Sequence, residues 1–98
     1  DIKPSNVLYC RRLGKFVLCD FGIAEYVKEN IGYVSETTCA GTRGFLGPEM
    51  RQLNLSTSKK TGKVDLYYND VYACTILLYM TMSSQPPATD NRSQPKTK

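Results

Sequence analysis

The sequence predicts a small α+β domain, because a strand-rich hairpin near the N-terminus is followed by a long irregular segment and one long apolar helix. The chain has 98 residues, of which 41% are hydrophobic, a fraction typical of globular rather than disordered chains. This length suits one small domain or part of a larger one. We predict a domain over residues 1–82 and a disordered polar tail over residues 83–98, in which Ser, Gln, Pro, Thr and Lys leave little to bury.

The composition excludes several classes of function. A net charge of +4, partly concentrated in the tail, makes no strong case for nucleic-acid binding, and no apolar run approaches the roughly 20 residues of a membrane span. The chain has no histidine, which excludes a His-based nucleophile triad and a His-liganded zinc site within it. The four cysteines form no C-x-x-C pair, so we expect free thiols in a reducing, intracellular compartment. Cys19 and Cys74 are expected to be buried as small hydrophobic residues.

Two short β-like runs predict the hairpin. Residues 7–10 (Val-Leu-Tyr-Cys) and 16–19 (Phe-Val-Leu-Cys) flank a polar turn that contains a glycine, a pattern typical of hairpins. Asn6 precedes the first run and Asp20 follows the second. Antiparallel pairing should therefore bring these two polar side chains together at the open end of the hairpin.

The rest of the chain is predicted as a long loop and two helices. Residues 21–45 lack steady periodicity and are rich in Gly, Ser and Thr, which indicates a functional loop. Pro48 is placed to open a short helix, and residues 56–63 are interpreted as a polar, basic linker. Asp70 is the predicted N-cap of a helix that runs to Met82. This helix is apolar on nearly all sides, so we expect it to be buried, although 98 residues can hardly surround it alone.

Three motifs occur in order along the chain. Residues 1–6 match D-x-K-P-x-N, residues 20–22 are Asp-Phe-Gly, and residues 41–49 are close to G-T-x-G-[FY]-x-A-P-E. Each motif is weak alone, but all three in this order are a specific signal. Residues 1–82 therefore resemble part of the C-terminal lobe of a eukaryotic protein kinase, from the catalytic loop through the activation segment to the buried central helix, without the N-terminal lobe. The D-x-K-P form is similar to that of serine/threonine kinases.

The resemblance implies ATP and Mg²⁺ as cofactors, a protein substrate, and a role for each matching residue. Asp1 would accept or orient the proton of the substrate hydroxyl, and Lys3 would offset charge on the transferred phosphoryl group. Asn6 and Asp20 would hold Mg²⁺, which prefers oxygen ligands. The remaining family positions are Leu8 and Leu77 beneath the adenine ring or in a plain core, Thr42 and Gly44 in the substrate loop, Phe21 packed in the core, Gly22 at the turn that aims Asp20, Glu49 in Pro-Glu, and Asp70 against the catalytic loop.

The branch of the family is a separate question. The Tyr-x-Arg-Arg-Leu-x-Lys turn at residues 9–15 and the Ala-Gly-Thr-Arg-Gly-Phe stretch at residues 40–45 resemble the cell-division-cycle kinases that fire replication origins. That branch would imply a nuclear location and a regulatory activating subunit. Other serine/threonine kinases, located in the cytoplasm, remain the alternative, and a small-molecule phosphotransferase is disfavoured by the peptide-binding segment at residues 41–49. Ser35, Thr37 and Thr38 are candidate phosphorylation sites within the activation segment.

The sequence also departs from the family pattern. It has no Gly-rich phosphate loop, no ATP-anchoring Lys and no His-Arg before Asp1, so we expect these 98 residues to be a fragment that is inactive alone. Gly47 stands where the family usually has Ala, and Tyr72 where it usually has Trp. A truncated or pseudokinase-type binding module without phosphotransfer is therefore the alternative function.

Overall fold

The computed structural model describes residues 1–27, 34–55 and 61–85. The predicted tail lies almost wholly outside these ranges. For residues 34–38, which include the three candidate phosphorylation sites, the structure describes the backbone but not the side chains. Two two-stranded sheets and two helices make up the described part. In chain order the elements are a 3-10 turn Pro4–Asn6, β1 Val7–Cys10, β2 Lys15–Leu18, β3 Val34–Thr38, α1 Pro48–Leu55, β4 Thr61–Asp65 and α2 Leu66–Ser83. Neither helix is long and apolar enough to cross a membrane.

The predicted hairpin is confirmed. Strands β1 and β2 pair antiparallel, with Val7 opposite Leu18 and Cys10 opposite Lys15. The rings of Tyr9 and Phe16 meet edge to face at 5.3 Å between centroids, an arrangement that aromatic pairs prefer. One further backbone hydrogen bond, from the amide of Cys19 to the carbonyl of residue 6 (2.9 Å), fixes the two chain segments at the open end.

The second sheet was not predicted. Strand β3 lies inside the segment interpreted as a continuous loop, and it pairs antiparallel with β4, which overlaps the end of the supposed linker. The register places Val34 opposite Asp65 and Thr38 opposite Thr61. Both interpretations were wrong at these positions, because the strands are short, lie far apart in sequence, and are stabilised by each other rather than by a local pattern.

Helix α1 begins at Pro48 as predicted, but α2 begins earlier than expected. Its N-cap is Asp65, whose carboxylate accepts a hydrogen bond from the amide of Tyr68 at 2.9 Å. The prediction that Asp70 is the N-cap was therefore wrong, and Asp70 lies in the second helical turn. Asp65 and Asp70 are both residue types that favour the N-cap position, so the sequence alone does not decide between them. The helix ends at Ser83, and its C-cap, Ser84, adopts the left-handed conformation and donates its amide to the carbonyl of Met80.

The buried apolar core of the described residues is small. It consists of Met50 from α1, Val64 from β4 and Ala73 from α2, each no more than 4% exposed. The expected burial of α2 is wrong for this chain, because Val71 and other large apolar side chains on the helix stay exposed. Cys74 is exposed as well, which corrects its predicted burial, while Cys19 is half-buried. One side of α2 packs against the elements that precede it, and these are too short to cover the others.

Candidate active site

Three side chains from two distant parts of the sequence form a closed set of polar contacts. The ammonium of Lys3 lies 2.9 Å from Oδ2 of Asp1 and donates a hydrogen bond to Oγ1 of Thr42 at 2.7 Å. The Thr42 hydroxyl in turn donates to Oδ1 of Asp1 at 2.7 Å. The hydroxyl thus acts as both donor and acceptor. The structure therefore brings together Asp1, Lys3 and Thr42, as the family resemblance implied.

The backbone around this set explains its geometry. Lys3 is extended, with φ −158° and ψ 164°, the conformation that a following proline favours. Thr42 lies in a turn closed by a hydrogen bond from the amide of Phe45 to its carbonyl at 3.1 Å. Gly41 and Gly44 on either side have φ of 131° and 94°, values that other residues rarely adopt. The glycines therefore permit the tight loop, called the substrate loop below (residues 41–47), that delivers Thr42 to Asp1.

Asn6 is the buried polar residue of the site, with 7% of its surface exposed. Its amide nitrogen donates to the backbone carbonyl of Asp1 at 2.8 Å, so the side chain joins the two ends of the catalytic-loop segment, residues 1–6. No buried side-chain nitrogen or oxygen among the described residues lacks a hydrogen-bond partner. Asn6 also lines a cavity, and its amide oxygen is of a ligand type that binds hard cations.

Asp20 occupies an unusual backbone conformation. Its φ is 61°, in the left-handed region that Asp tolerates better than most residues, and its Oδ1 accepts a hydrogen bond from the amide of Gly22 at 3.1 Å. The positive φ is thus adopted by Asp20 itself, while Gly22 lies in the turn that follows, closed by a hydrogen bond from the amide of Ala24 to the carbonyl of Phe21. Gly22 also leaves space, because a Cβ there would lie 3.1 Å from Oδ1. The predicted core packing of Phe21 is also wrong, because its side chain is 69% exposed and little of this small chain lies close enough to cover it.

A cavity of about 160 Å³ joins several of these residues. Asp1, Asn6 and Asp20 line it, together with Phe21 and, from α2, Asp70. Small-molecule pockets usually enclose about 300–1,000 Å³, so this cavity suits a phosphate group or a hydrated ion better than a whole nucleotide. The juxtaposition of Asn6 and Asp20 at the open end of the hairpin is therefore found, on the wall of one cavity.

Of the other predicted site residues, Leu8, Leu77 and Glu49 lie outside this cavity. Leu8 is 52% exposed on β1, and Leu77 is half-buried on α2, so neither occupies a core. Glu49 is exposed at the start of α1, and no ion pair involves it within the described ranges. Asp70 lines the cavity but forms no hydrogen bond to residues 1–6 there.

The donor chemistry of the cavity fits Mg²⁺. Asn6 and Asp20 offer an amide oxygen and a carboxylate, the ligand types this ion prefers, and Mg²⁺ usually keeps waters and phosphate oxygens for its other positions. No group of three or more Cys, Asp or Glu residues in the described part of the chain could hold a metal on its own. An ion here would take these two residues as ligands and could fill its other positions with waters and phosphate oxygens.

One contact at the edge of the site escaped the sequence analysis. Oδ1 of Asn69 on α2 accepts a hydrogen bond from the amide of Gly47 at 2.8 Å. The only signal in the sequence was glycine at a position where the family usually has Ala. A side chain that bonds to the backbone of a residue 22 positions away leaves no local pattern.

Comparison with known proteins establishes the class of this protein. The family model described as the protein kinase domain matches residues 1–98, and the chain belongs to this family. A non-specific serine/threonine protein kinase of Drosophila melanogaster is 44% identical over 45 residues, which cover 46% of this chain and 7% of that protein. A Dictyostelium discoideum protein named probable myosin light chain kinase is 32% identical over 87 residues, 89% of this chain and 16% of that protein.

A third relative, the LysM domain receptor-like kinase 3 of Arabidopsis thaliana, is 35% identical over 86 residues, 87% of this chain and 12% of that protein. The chain thus spans between 7% and 16% of the length of these three curated relatives. No solved structure gives a significant match.

Proposed function

We propose that this chain forms the catalytic-loop, metal-binding and substrate-loop part of a protein serine/threonine kinase, which transfers the γ-phosphoryl group of ATP to a protein hydroxyl. The observation that carries the proposal is the contact of Asp1 with Lys3 and Thr42 beside the cavity lined by Asn6 and Asp20. The D-x-K-P form of residues 1–4 and the serine/threonine kinases among the relatives support Ser/Thr specificity.

The geometry supports a role for residues of this chain in each step of the transfer. Asp1 already accepts a hydrogen bond from an alcohol, the hydroxyl of Thr42, so it can accept one from a substrate Ser or Thr. As the substrate oxygen bonds to the γ-phosphorus and the bond to the ADP oxygen breaks, the hydroxyl proton passes to the Asp1 carboxylate. Lys3, 2.9 Å from that carboxylate, would lie beside the transferred group and offset its charge.

Asn6 and Asp20 are proposed to hold Mg²⁺. When bound, this ion neutralises charge on the phosphate oxygens of ATP. The chain contributes the orientation of the two ligands. Asn6 is fixed by its bond to the Asp1 carbonyl, and Asp20 by the Gly22 amide, so both side chains are positioned before a ligand arrives.

The finer placement of the protein is also a proposal. The turn at residues 9–15 and the stretch at residues 40–45 support the cell-division-cycle branch, with a nuclear location and a regulatory activating subunit. A cytoplasmic serine/threonine kinase is the alternative. The four cysteines, all free thiols, support a reducing compartment inside the cell.

A second candidate function is a pseudokinase-type binding module. The small cavity and the exposure of Leu8 and Phe21 favour the view that these 98 residues bind without transferring phosphate. The four residues that carry the chemistry, Asp1, Lys3, Asn6 and Asp20, argue for an active enzyme when the rest of a nucleotide pocket is supplied.

A paramagnetic metal tests the proposed site directly. Mn²⁺ with ATP, added to the ¹⁵N-labelled 98-residue chain, should broaden the amide signals of residues 6 and 19–22 selectively. Asp20→Asn should abolish this broadening, because it removes the charged ligand. Asp65→Asn is the matched control, since it makes the same chemical change at a helix cap where Asn serves equally well. Broadening that is spread evenly, or that survives Asp20→Asn, would reject the metal site.

A further inference from the structure

The end of the substrate loop is attached to helix α2 by one specific contact. Gly47 is buried, and both of its backbone polar groups are used. Its carbonyl accepts from the amide of Arg51 at 3.0 Å, within the first turn of α1, and its amide donates to Oδ1 of Asn69 at 2.8 Å. Since the partner is an N–H group, the atom of Asn69 that faces it must be the oxygen.

Asn69 also lies between the cavity and the substrate loop. It lines the cavity that holds Asn6 and Asp20. It also lines a space of about 10 Å³ beneath the substrate loop, bounded by Asp1, Gly41 and Thr42 among others. A shift of the Asn69 side chain would therefore change the packing of the loop that carries Thr42 and of the segment that carries Asp1.

We propose that Asn69 is a positioning residue, which holds the last residue of the substrate loop on α2 and thereby keeps Thr42 in register with Asp1 and Lys3. The inference rests on the proposed function, in which this loop receives the protein substrate. Without the Asn69 oxygen, the buried amide of Gly47 would lose its partner, and the loop would have to open for that amide to reach water.

The pair is complementary in size as well as in hydrogen bonding. A Cβ on Gly47 would lie 3.0 Å from Oδ1 of Asn69, whereas the next nearest atoms, Cα of Asn69 and Oε2 of Glu49, would be 3.7 Å away in ordinary contact. Alanine at position 47 therefore conflicts with the Asn69 side chain and with little else. The structure thus links the glycine at this position to the asparagine on α2.

Hydrogen exchange of the Gly47 amide in the ¹⁵N-labelled 98-residue chain tests this assignment. Asn69→Leu, which has similar size but no acceptor, should lower the protection of that amide by roughly tenfold. Asn69→Asp keeps an oxygen in the same place and should retain the protection. The signal of Thr42 should shift in the Leu variant and stay near its original position in the Asp variant, a rescue that depends on the acceptor rather than on packing.

A cycle with Gly47→Ala gives a second measurement that survives a folding defect in any single variant. Gly47→Ala should lower protection at residue 47 when Asn69 is present, and have little further effect when combined with Asn69→Ala. Equal protection in the Leu and Asp variants, additive effects in the cycle, or a wild-type amide that exchanges at the unfolded-chain rate would each overturn the assignment. The protection is measured without metal, so its failure is distinct from failure of the Mn²⁺ experiment.

Discussion

The hydroxyl of Thr42 donates a 2.7 Å hydrogen bond to Oδ1 of Asp1, across 41 positions of sequence. The other oxygen of the same carboxylate pairs with Lys3, so Asp1 contacts the substrate loop through one oxygen and its own segment through the other. The three contacts form one network, and loss of any member changes the environment of the other two.

Thr42→Val should destabilise the chain by about 1 kcal/mol, because it removes two hydrogen bonds to charged groups at a partly exposed site. Valine has nearly the shape of threonine, so packing is preserved. Thr42→Ser keeps the hydroxyl and should cost clearly less. Urea unfolding followed by circular dichroism measures both variants, and equal midpoints for Val and Ser would show that the network contributes nothing to stability.

Gly41→Ala should be more destabilising than Gly14→Ala. Both glycines have positive φ, 131° and 63°. Alanine at the left-handed φ of Gly14 carries a conformational cost of about 1–2 kcal/mol, and the φ of Gly41 lies beyond the left-handed region, so the cost there is at least as large. A Cβ at Gly41 would in addition lie 2.6 Å from Cδ2 of Leu46, whereas a Cβ at Gly14 meets nothing within 4 Å.

Thermal unfolding of the two alanine variants compares the combined cost of φ and of lost space at Gly41 with the cost of φ at Gly14. Gly14→Ala reports the conformational cost alone, at a turn far from the site. If Gly41→Ala unfolded at the same temperature as Gly14→Ala, the substrate loop would be looser than the contact with Leu46 indicates.

The parts of the fold that could be predicted from sequence are those encoded by neighbouring residues. The hairpin follows from two short β-like runs around a turn that contains a glycine, and the start of α1 from Pro48. The placement of Asn6 and Asp20 at one end follows from antiparallel pairing alone. The motif at residues 41–49 could place Thr42 near Asp1 only through family resemblance, because no local pattern encodes a contact over that distance.

The parts that could not be predicted depend on partners distant in sequence or on which of two equivalent residues is used. Strands β3 and β4 stabilise each other across the intervening helix α1, so neither shows a pattern by itself. Asp65 and Asp70 are both good helix caps, and only the three-dimensional position of the Tyr68 amide selects Asp65. The apolar surface of α2 predicted that the helix is buried. Burial also requires enough other residues to cover that surface, and the hydrophobic pattern of the helix does not report this.

The two candidate caps of α2 make opposite predictions on mutation. Asp65→Ala should lower stability by about 1 kcal/mol, since the amide of Tyr68 loses its acceptor. Asp70→Ala, in the second turn, should leave the helix content almost unchanged. Far-ultraviolet circular dichroism during urea unfolding compares them, with Asp65→Asn as the variant that keeps the cap. A larger loss for Asp70→Ala would return the helix start to the position that the sequence indicated.

Phosphotransfer by the 98 residues alone should be negligible. The cavity encloses about 160 Å³, which is below the range of about 300–1,000 Å³ that small-molecule pockets usually have. Leu8, the position expected beneath adenine, is half exposed. Radiolabelled ATP with Mg²⁺ and casein gives the measurement, with Asp20→Ala as the comparison. Strong transfer that disappears in Asp20→Ala would show that the chain is a complete catalyst, whereas transfer that persists would come from a contaminating kinase. Background transfer combined with Mn²⁺ broadening at residues 6 and 19–22 would mean that the metal ligands are in place and that what the chain lacks is the remainder of the nucleotide pocket.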